Sequence, residues 1–576
     1  MVTIAAVCLA FAAPARGEVT IALVPRGTGV GELAALGLAP GLMSAGLGSV
    51  PAAQTYLDIS QGNRVFDSLY DSDLGSDLGG GMCGPAYSRT VVERAESAPA
   101  EIVPGLLAAT LARAGERCAV VSVSPRGLAG LIRGLRGDDL LIAIERAPPP
   151  DDEALAIGIG GRRFAAGLTS DSTRTEGYVL STDVAPTILA GLGLAIPDQM
   201  SGQPISSAEE VDVAAIESLG KRMAAIPGRR GPVIGFTLLA WALLAGAALA
   251  VTRGSAARPA LQLLALSLVY LPLVLLVGAA AEPGQGAERA LLMLGAPALA
   301  GLTLGALRGY RALALASGLV VIAYALDVMT GSSLTSLSLL GPNPGLGVRF
   351  YGIGNELEAI LAVLVVGGSG AALSGFVPRI APTRAAVAFL ATGLACAAVF
   401  AAGRFGADVG AAIVLPVGAA VAAATVAAWR RRWVLVSLAA PLVLLALIAL
   451  LDLASGANAH LTRSVLDAGG LDRLAEVAQR RLQLSAHSFV RPVVLACLPV
   501  VAALGVLAIV CRDTLLRWVR DAPAMGAGLA GALAAVVCGT LANDSGALLL
   551  VIGAVYLAVL VAVAWTEQPS RPSVRR

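Results

Sequence analysis

An N-terminal α/β domain followed by an all-α polytopic transmembrane bundle is the fold class this sequence predicts, on three observations. The chain of 576 residues is 56% hydrophobic and only 14% charged, more apolar surface than one soluble core buries. From Val19 to about Ser207, short strand-like runs alternate with helical patterns; from about Gly231 onward, apolar segments of spanning length follow one another. The connections between those segments are basic on one side of the membrane and poorer in arginine on the other.

Residues 1–18 begin with an apolar run, Met1 to Ala15, ending in Ala13-Pro14-Ala15. It reads as a signal-like or anchor segment without a basic n-region, and either form sends the next domain outward. Within 19–207, Val19–Val24 reads as a strand, Pro104–Ala114 as a helix, Cys118–Val123 and Leu140–Ile144 as strands and Val184–Leu192 as a helix. Such alternation implies a mainly parallel sheet. Asp71 to Gly84 reads as a surface loop, and Pro148 to Asp152 as a linker. Cys83 and Cys118 share this domain, and export would let them form a disulfide. Cys396, Cys497, Cys511 and Cys538 fall in or beside apolar helices, without metal-ligand spacing.

A connector, 208–231, ends in Arg229-Arg230. The bundle, 232–566, carries about eleven apolar segments, at approximately 232–252, 260–281, 289–307, 312–330, 355–375, 384–402, 406–428, 433–452, 491–511, 523–541 and 546–565, before a tail at 567–576. With the first domain outside, the inner connections hold Arg253 and Arg258, Arg308 and Arg311, Arg379 and Arg384, Arg430 to Arg432, and Arg512, Arg517 and Arg520. The positive-inside rule then gives a multi-pass protein of the cell membrane with an extracytoplasmic N-terminal domain and a cytoplasmic C-terminus. The net charge of +2 and the lack of a basic run interleaved with aromatics point away from nucleic acid.

This topology gathers the polar motifs of the bundle on its outer side: RFYGIGNE at Arg349–Glu356, GRFGAD at Gly403–Asp408, the His487–Arg491 stretch and LANDSG at Leu541–Gly546. Ionisable groups at membrane depth are costly, and several at one level mark a site. Arg349, Arg404 and Arg491 lie beside helix ends carrying Asn355, Glu356, Asp408, Asn543 and Asp544. Guanidinium forks near helix N-termini suit phosphate or another anion, which makes a phosphate-bearing lipid or lipid-linked sugar the natural ligand. The plainer readings are that the acidic groups and asparagines cap helices and that the arginines meet lipid headgroups or pair with Glu356 and Asp408. His487, with Glu356 and Asp544, is the candidate for acid–base chemistry; the plainer reading makes it a hydrogen-bonding loop residue. Leu471–Leu484 has an apolar face opposite Arg473, Arg480 and Arg481, the pattern of a helix lying along the membrane surface. Asp327 and Glu358, just inside span ends, are candidate proton or cation sites.

The stretch Thr169 to Ile205, with Thr182-Asp183-Val184-Ala185-Pro186-Thr187 leading into a Gly-rich return, resembles the C-terminal signature of the alkaline-phosphatase/sulfatase/phosphoglycerate-mutase superfamily. The Val19–Val24 strand, Thr55–Arg64 and Leu140–Ile144 fall in the order of that fold. The resemblance implies two metals held by Asp and His and a Ser, Thr or Cys nucleophile. This chain departs from it where chemistry is required: Arg26 stands in the turn after the first strand, Glu145-Arg146 replaces Asp-His, and Asp171-Ser172-Thr173 has no histidine. A degenerate domain without metal or cofactor follows, since losing the ligands removes charge stabilisation of both oxygens. Thr55 and Ser60 are the only candidates for the nucleophile position, Arg26 and Arg64 for anion recognition, and Asp183 and Thr187 for bracing their helix.

The expectation is an envelope protein acting at the outer leaflet, binding, transferring or translocating a lipid-linked or anionic substrate. An ion-coupled transporter or channel and a non-catalytic assembly or sensor protein are the alternatives. Membrane lipid is the one partner the sequence names.

Overall fold

The computed structural model describes residues 17–568 except 71, 75–80, 85–86, 99, 148–153, 211, 253–256, 430, 432–484 apart from Leu435, Ala439 and Val443, and 487, 491 and 544. The signal-like segment, the expected span at 433–452, the amphipathic Leu471–Leu484, and His487, Arg491 and Asp544 lie outside the described residues, wholly or in all but isolated positions. The chain divides into two compact units, Met1–Ala224 with Gly345–Phe350, and Ala225–Pro344 with Tyr351–Arg576.

The first unit is built on strands β1 (Val19–Val24), β2 (Ala39–Ser44), β3 (Cys118–Ser122), β4 (Leu140–Glu145), β5 (Ala154–Gly160) and β7 (Tyr178–Leu180), in the order β3-β1-β4-β5-β2-β7. The pair β6 (Leu168–Ser170) and β8 (Ile205–Ser207) forms a second, antiparallel sheet. β1 lies parallel between β3 and β4, with Ile21 opposite Val120 and Ile142. The expectation of a mainly parallel sheet is corrected at β5, which runs antiparallel to both β4 and β2. Only residues 146–153 separate β4 from β5, too few for the crossover that a parallel pair requires, so the chain returns as a hairpin. Ile21, Ile142, Ile144, Ile157, Ile159 and Met43 are fully buried, and the helices Leu106–Arg113 and Val184–Gly191 cover them with Leu107, Leu111, Ile188 and Leu189. Cys83 and Cys118 form a disulfide that ties the start of β3 to a distant loop.

In the second unit, nine helices among the described residues have the length and composition to cross a membrane. Eight of the expected spans are met by Ala257–Ala281, Gln285–Ala306, Gly309–Met329, Asn355–Phe376, Pro382–Ala401, Val409–Val426, Pro523–Ala542 and Gly546–Thr566. The expected 232–252 segment belongs to a longer helix, Val213–Ala247, and the expected 491–511 segment is a pair, Val494–Val510 and Arg512–Trp518, bent by 75°. These are the features of a multi-pass membrane protein.

Three of the helices meet through their backbones. A Cβ on Gly370 of the Asn355 helix would lie 2.8 Å from the Ala524 carbonyl, and one on Gly528 would lie 3.1 Å from the Val366 carbonyl. The Pro523 and Val409 helices approach as closely at Gly531 and Gly418. Within a bilayer, where lipid tails are as apolar as leucine, such small-residue contacts supply the dispersion energy that holds helices together.

Candidate functional site

The Gly352–Glu356 and Gly403–Asp408 turns pair through their backbones: Ile353 N donates to Gly406 O at 3.0 Å, and Gly352 N donates to Ser332 Oγ at 3.0 Å. Gly352 has φ +77°, and a Cβ there would overlap the Gly406 carbonyl, so only glycine fits. Asn543, at the end of the Pro523 helix, joins from a third segment. Its Nδ2 donates to Glu358 Oε2 at 2.7 Å and to Asn355 Oδ1 at 3.2 Å, while its Oδ1 accepts from Ser545 N at 3.0 Å.

Glu358 is at the centre of this arrangement, only 2% exposed. A Cβ on Gly410 would lie 2.5 Å from both its carboxylate oxygens, and one on Gly539 would lie 3.9 Å from Oε1. The Val409 and Pro523 helices thus carry glycine where the carboxylate needs room. Asp408 is buried and caps the Val409 helix by accepting from Ala411 N at 3.0 Å, as the plainer reading has it. The other polar groups are not simple caps. Asn355 follows the N-cap Gly354, Asn543 is a C-terminal residue, and Glu356 pairs with Arg230 at 3.1 Å, whose Nη2 also donates to Gly341 O at 2.7 Å.

Of the sequence-predicted set, Asn355, Glu356, Asp408 and Asn543 therefore converge in the second unit, and Arg404 stands exposed on the same Gly403–Asp408 turn. Arg349 belongs with Gly345–Phe350 to the first unit. Arg230, Ser332 and Glu358 were missing from the predicted anion set. The arginine pair just before the first apolar run was the available signal for Arg230; Ser332 left none. Asp327, like Glu358 a candidate proton or cation site, is buried near the end of its helix. Its oxygens accept from Leu334 N at 3.1 Å and Thr335 N at 2.7 Å, capping a short helix in the following turn.

In the first unit several residues singled out in the sequence brace the fold. Glu145 accepts from Gly27 N at 2.7 Å and Ala156 N at 3.1 Å. Asp183 accepts from Ser170 Oγ at 2.7 Å, Ser172 Oγ at 2.6 Å, Leu180 N at 3.0 Å and Gln203 N at 2.9 Å. Burial pushes its carboxyl above the usual range against the pull of these donors. Thr187 Oγ1 donates to Asp183 O at 2.6 Å and accepts from Ile205 N at 2.8 Å. Thr55 and Ser60 are both buried in the helix Ala52–Gln61; Ser60 donates to Leu57 O, and the Thr55 hydroxyl has no hydrogen-bond partner among the described residues. A nucleophile must reach its substrate, and neither hydroxyl reaches solvent. Arg64, expected to recognise an anion, donates to Gly347 O at 2.7 Å and Ser44 Oγ at 3.3 Å. Among the described residues no group of three His, Cys, Asp or Glu side chains is placed to hold a metal ion.

No protein-family model, curated protein or solved structure matches this chain.

Proposed function

We propose that this is an integral membrane protein of the cell envelope that binds a phosphate-bearing, lipid-linked substrate at the outer leaflet, to transfer or translocate it. The observation that carries the reading is the convergence of three sequence-distant turns, at Gly352–Glu356, Gly403–Asp408 and Asn543, around one buried carboxylate. Arg404, exposed on one of these turns, carries a guanidinium fork that suits a phosphate at the membrane boundary. The Cys83–Cys118 disulfide favours an oxidising compartment for the first unit, in accord with the arginine-rich connections assigned to the inner side. The first unit acts in this reading as a catalytically silent relative of the alkaline-phosphatase superfamily, its carboxylates engaged in bracing.

Native mass spectrometry of the protein purified in nanodiscs tests the proposal. The wild type retains a phosphate-bearing lipid, and Asn543→Ala and Arg404→Gln each lower its retention at least tenfold. Equal retention by all three proteins would end this reading. A second reading, an ion-coupled transporter, is favoured by the burial of Glu358 within the bundle. It requires ion flux into proteoliposomes that Glu358→Gln abolishes.

A further inference from the structure

Two arginines of the second unit stand where apolar spans begin. Arg229 precedes the stretch that runs to Ala247, and Arg289 lies in the first turns of the span Gln285–Ala306. An ion pair brings the two ends together: Arg229 bonds to Glu288, the neighbour of Arg289, and its Nη2 also donates to Pro283 O at 2.6 Å. The Arg289 guanidinium lies 5.8 Å from the centroid of the Phe236 ring, within cation–π range, so a ring from one helix supports the cation of the other.

The arginines are unequally engaged. Glu288 is taken by Arg229 and Glu356 by Arg230, which leaves Arg289 with neither a carboxylate nor a carbonyl partner among the described residues. The Nε–H groups of Arg229 and Arg289 are buried without an acceptor among those residues. Such donors cost free energy, and a cation at the membrane boundary is retained where a partner meets it. Both helices also leave α-geometry directly after these residues, in the π-helical turns Gly231–Gly235 and Leu291–Gly295, with Gln285–Ala290 packed on the first. Such turns are rare and occur frequently at functional sites. Beyond them both helices face lipid: 17% and 22% of the residues in their spanning windows are buried, against 44% or more in the other seven, and Leu239, Leu243, Leu294 and Leu302 are exposed.

We infer that Arg289 and Arg229 form a binding site for the phosphate of an anionic phospholipid, whose acyl chains lie along the exposed leucines. A guanidinium fork matches two phosphate oxygens, and a lipid presents that group at the level where the apolar helix begins. Phe236 orients the Arg289 fork, and Glu288 holds Arg229 near it. The site uses none of the residues of the turns around Glu358, so the inference holds whatever those turns bind.

Native mass spectrometry of the delipidated full chain in detergent, titrated with phosphatidylglycerol and with phosphatidylcholine, tests it. The wild type binds one phosphatidylglycerol about tenfold or more tightly than phosphatidylcholine, and Arg289→Gln, which breaks no hydrogen bond to a described residue, loses that preference. Arg379→Gln, at an exposed arginine of another connection, keeps it, as does Asn543→Ala. Equal affinities in the wild type and Arg289→Gln would overturn the inference. An equal loss in Arg379→Gln would reduce the effect to overall charge, and an equal loss in Asn543→Ala would merge the site with the turns around Glu358; either result overturns it. Inorganic phosphate that competes as strongly as phosphatidylglycerol would assign the arginines to a soluble anion and overturn the lipid assignment. Should Arg289→Gln fail to fold, Phe236→Ala decides: a weaker preference is expected, and an unchanged one would overturn the site.

Discussion

Asp183 and Glu358 are both buried carboxylates, 0% and 2% exposed, yet the two units hold them differently. Asp183 takes four hydrogen bonds, two from backbone N–H groups, and fastens the return from Gln203 to the loop at Ser170. Glu358 takes the side-chain amide of Asn543 and lies where Gly410 provides no Cβ to exclude it. A carboxylate gripped by backbone amides is part of the scaffold, because the fold sets its partners. One held by another side chain, in a space cleared by glycine and at a depth where ionisable groups are expensive, requires a use to explain its retention. Asp327 shows that the bundle also contains the first kind, since both its oxygens serve backbone N–H groups.

Breaking the scaffold type has the largest expected effect. Asp183→Ala leaves two hydroxyls and two backbone N–H groups without their acceptor, and at about 1–3 kcal/mol for a buried unsatisfied group the first unit loses roughly 3 kcal/mol or more. Pulse proteolysis in detergent measures it; a loss within error of wild type would remove the distinction. Gly410→Ala probes the other type. Overpacking against the Glu358 carboxylate is expected to cost the bundle about 2 kcal/mol. Gly505→Ala, with nothing within 4 Å of its Cβ, is the neutral control for tryptophan-monitored unfolding. Equal midpoints for the two variants would show that the carboxylate moves aside freely.

The smallest effect sharpens the comparison through pH. Burial raises the Asp58 carboxyl from 3.8 to about 7, against the lowering influence of Gln54, Arg64, Arg94 and Gln61, with Tyr70 also facing it. A folded-state value above the unfolded one favours the protonated form on folding. The stabilisation is therefore complete below about pH 4 and is lost as pH rises through 7. Asp58→Asn should remove this part of the decline in first-unit stability between pH 4 and 7; an unchanged slope would place the titration elsewhere.

The spans were legible because each is an apolar run near twenty residues, and β1, β3 and β4 because they are compact β-branched runs. β2 was not, because Pro40 and Gly41 stand inside it and argue against an interior strand, although it pairs on both sides with β5 and β7. β5 was obscured in the same way by Gly158 and Gly160. At the site, the glycine-rich turns and their asparagines announced themselves. Arg230 and Ser332 reach the site only through tertiary contacts that periodicity does not encode.

The central claim is that the three turns around Glu358 form one ligand site, and photo-crosslinking with a diazirine-bearing polyprenyl phosphate tests it most directly. Labelling is expected within 352–358, 403–410 and 539–546, and to be competed by unlabelled polyprenyl phosphate but not by the corresponding alcohol. Label spread along the lipid-facing helices, or equal competition by the alcohol, would contradict it.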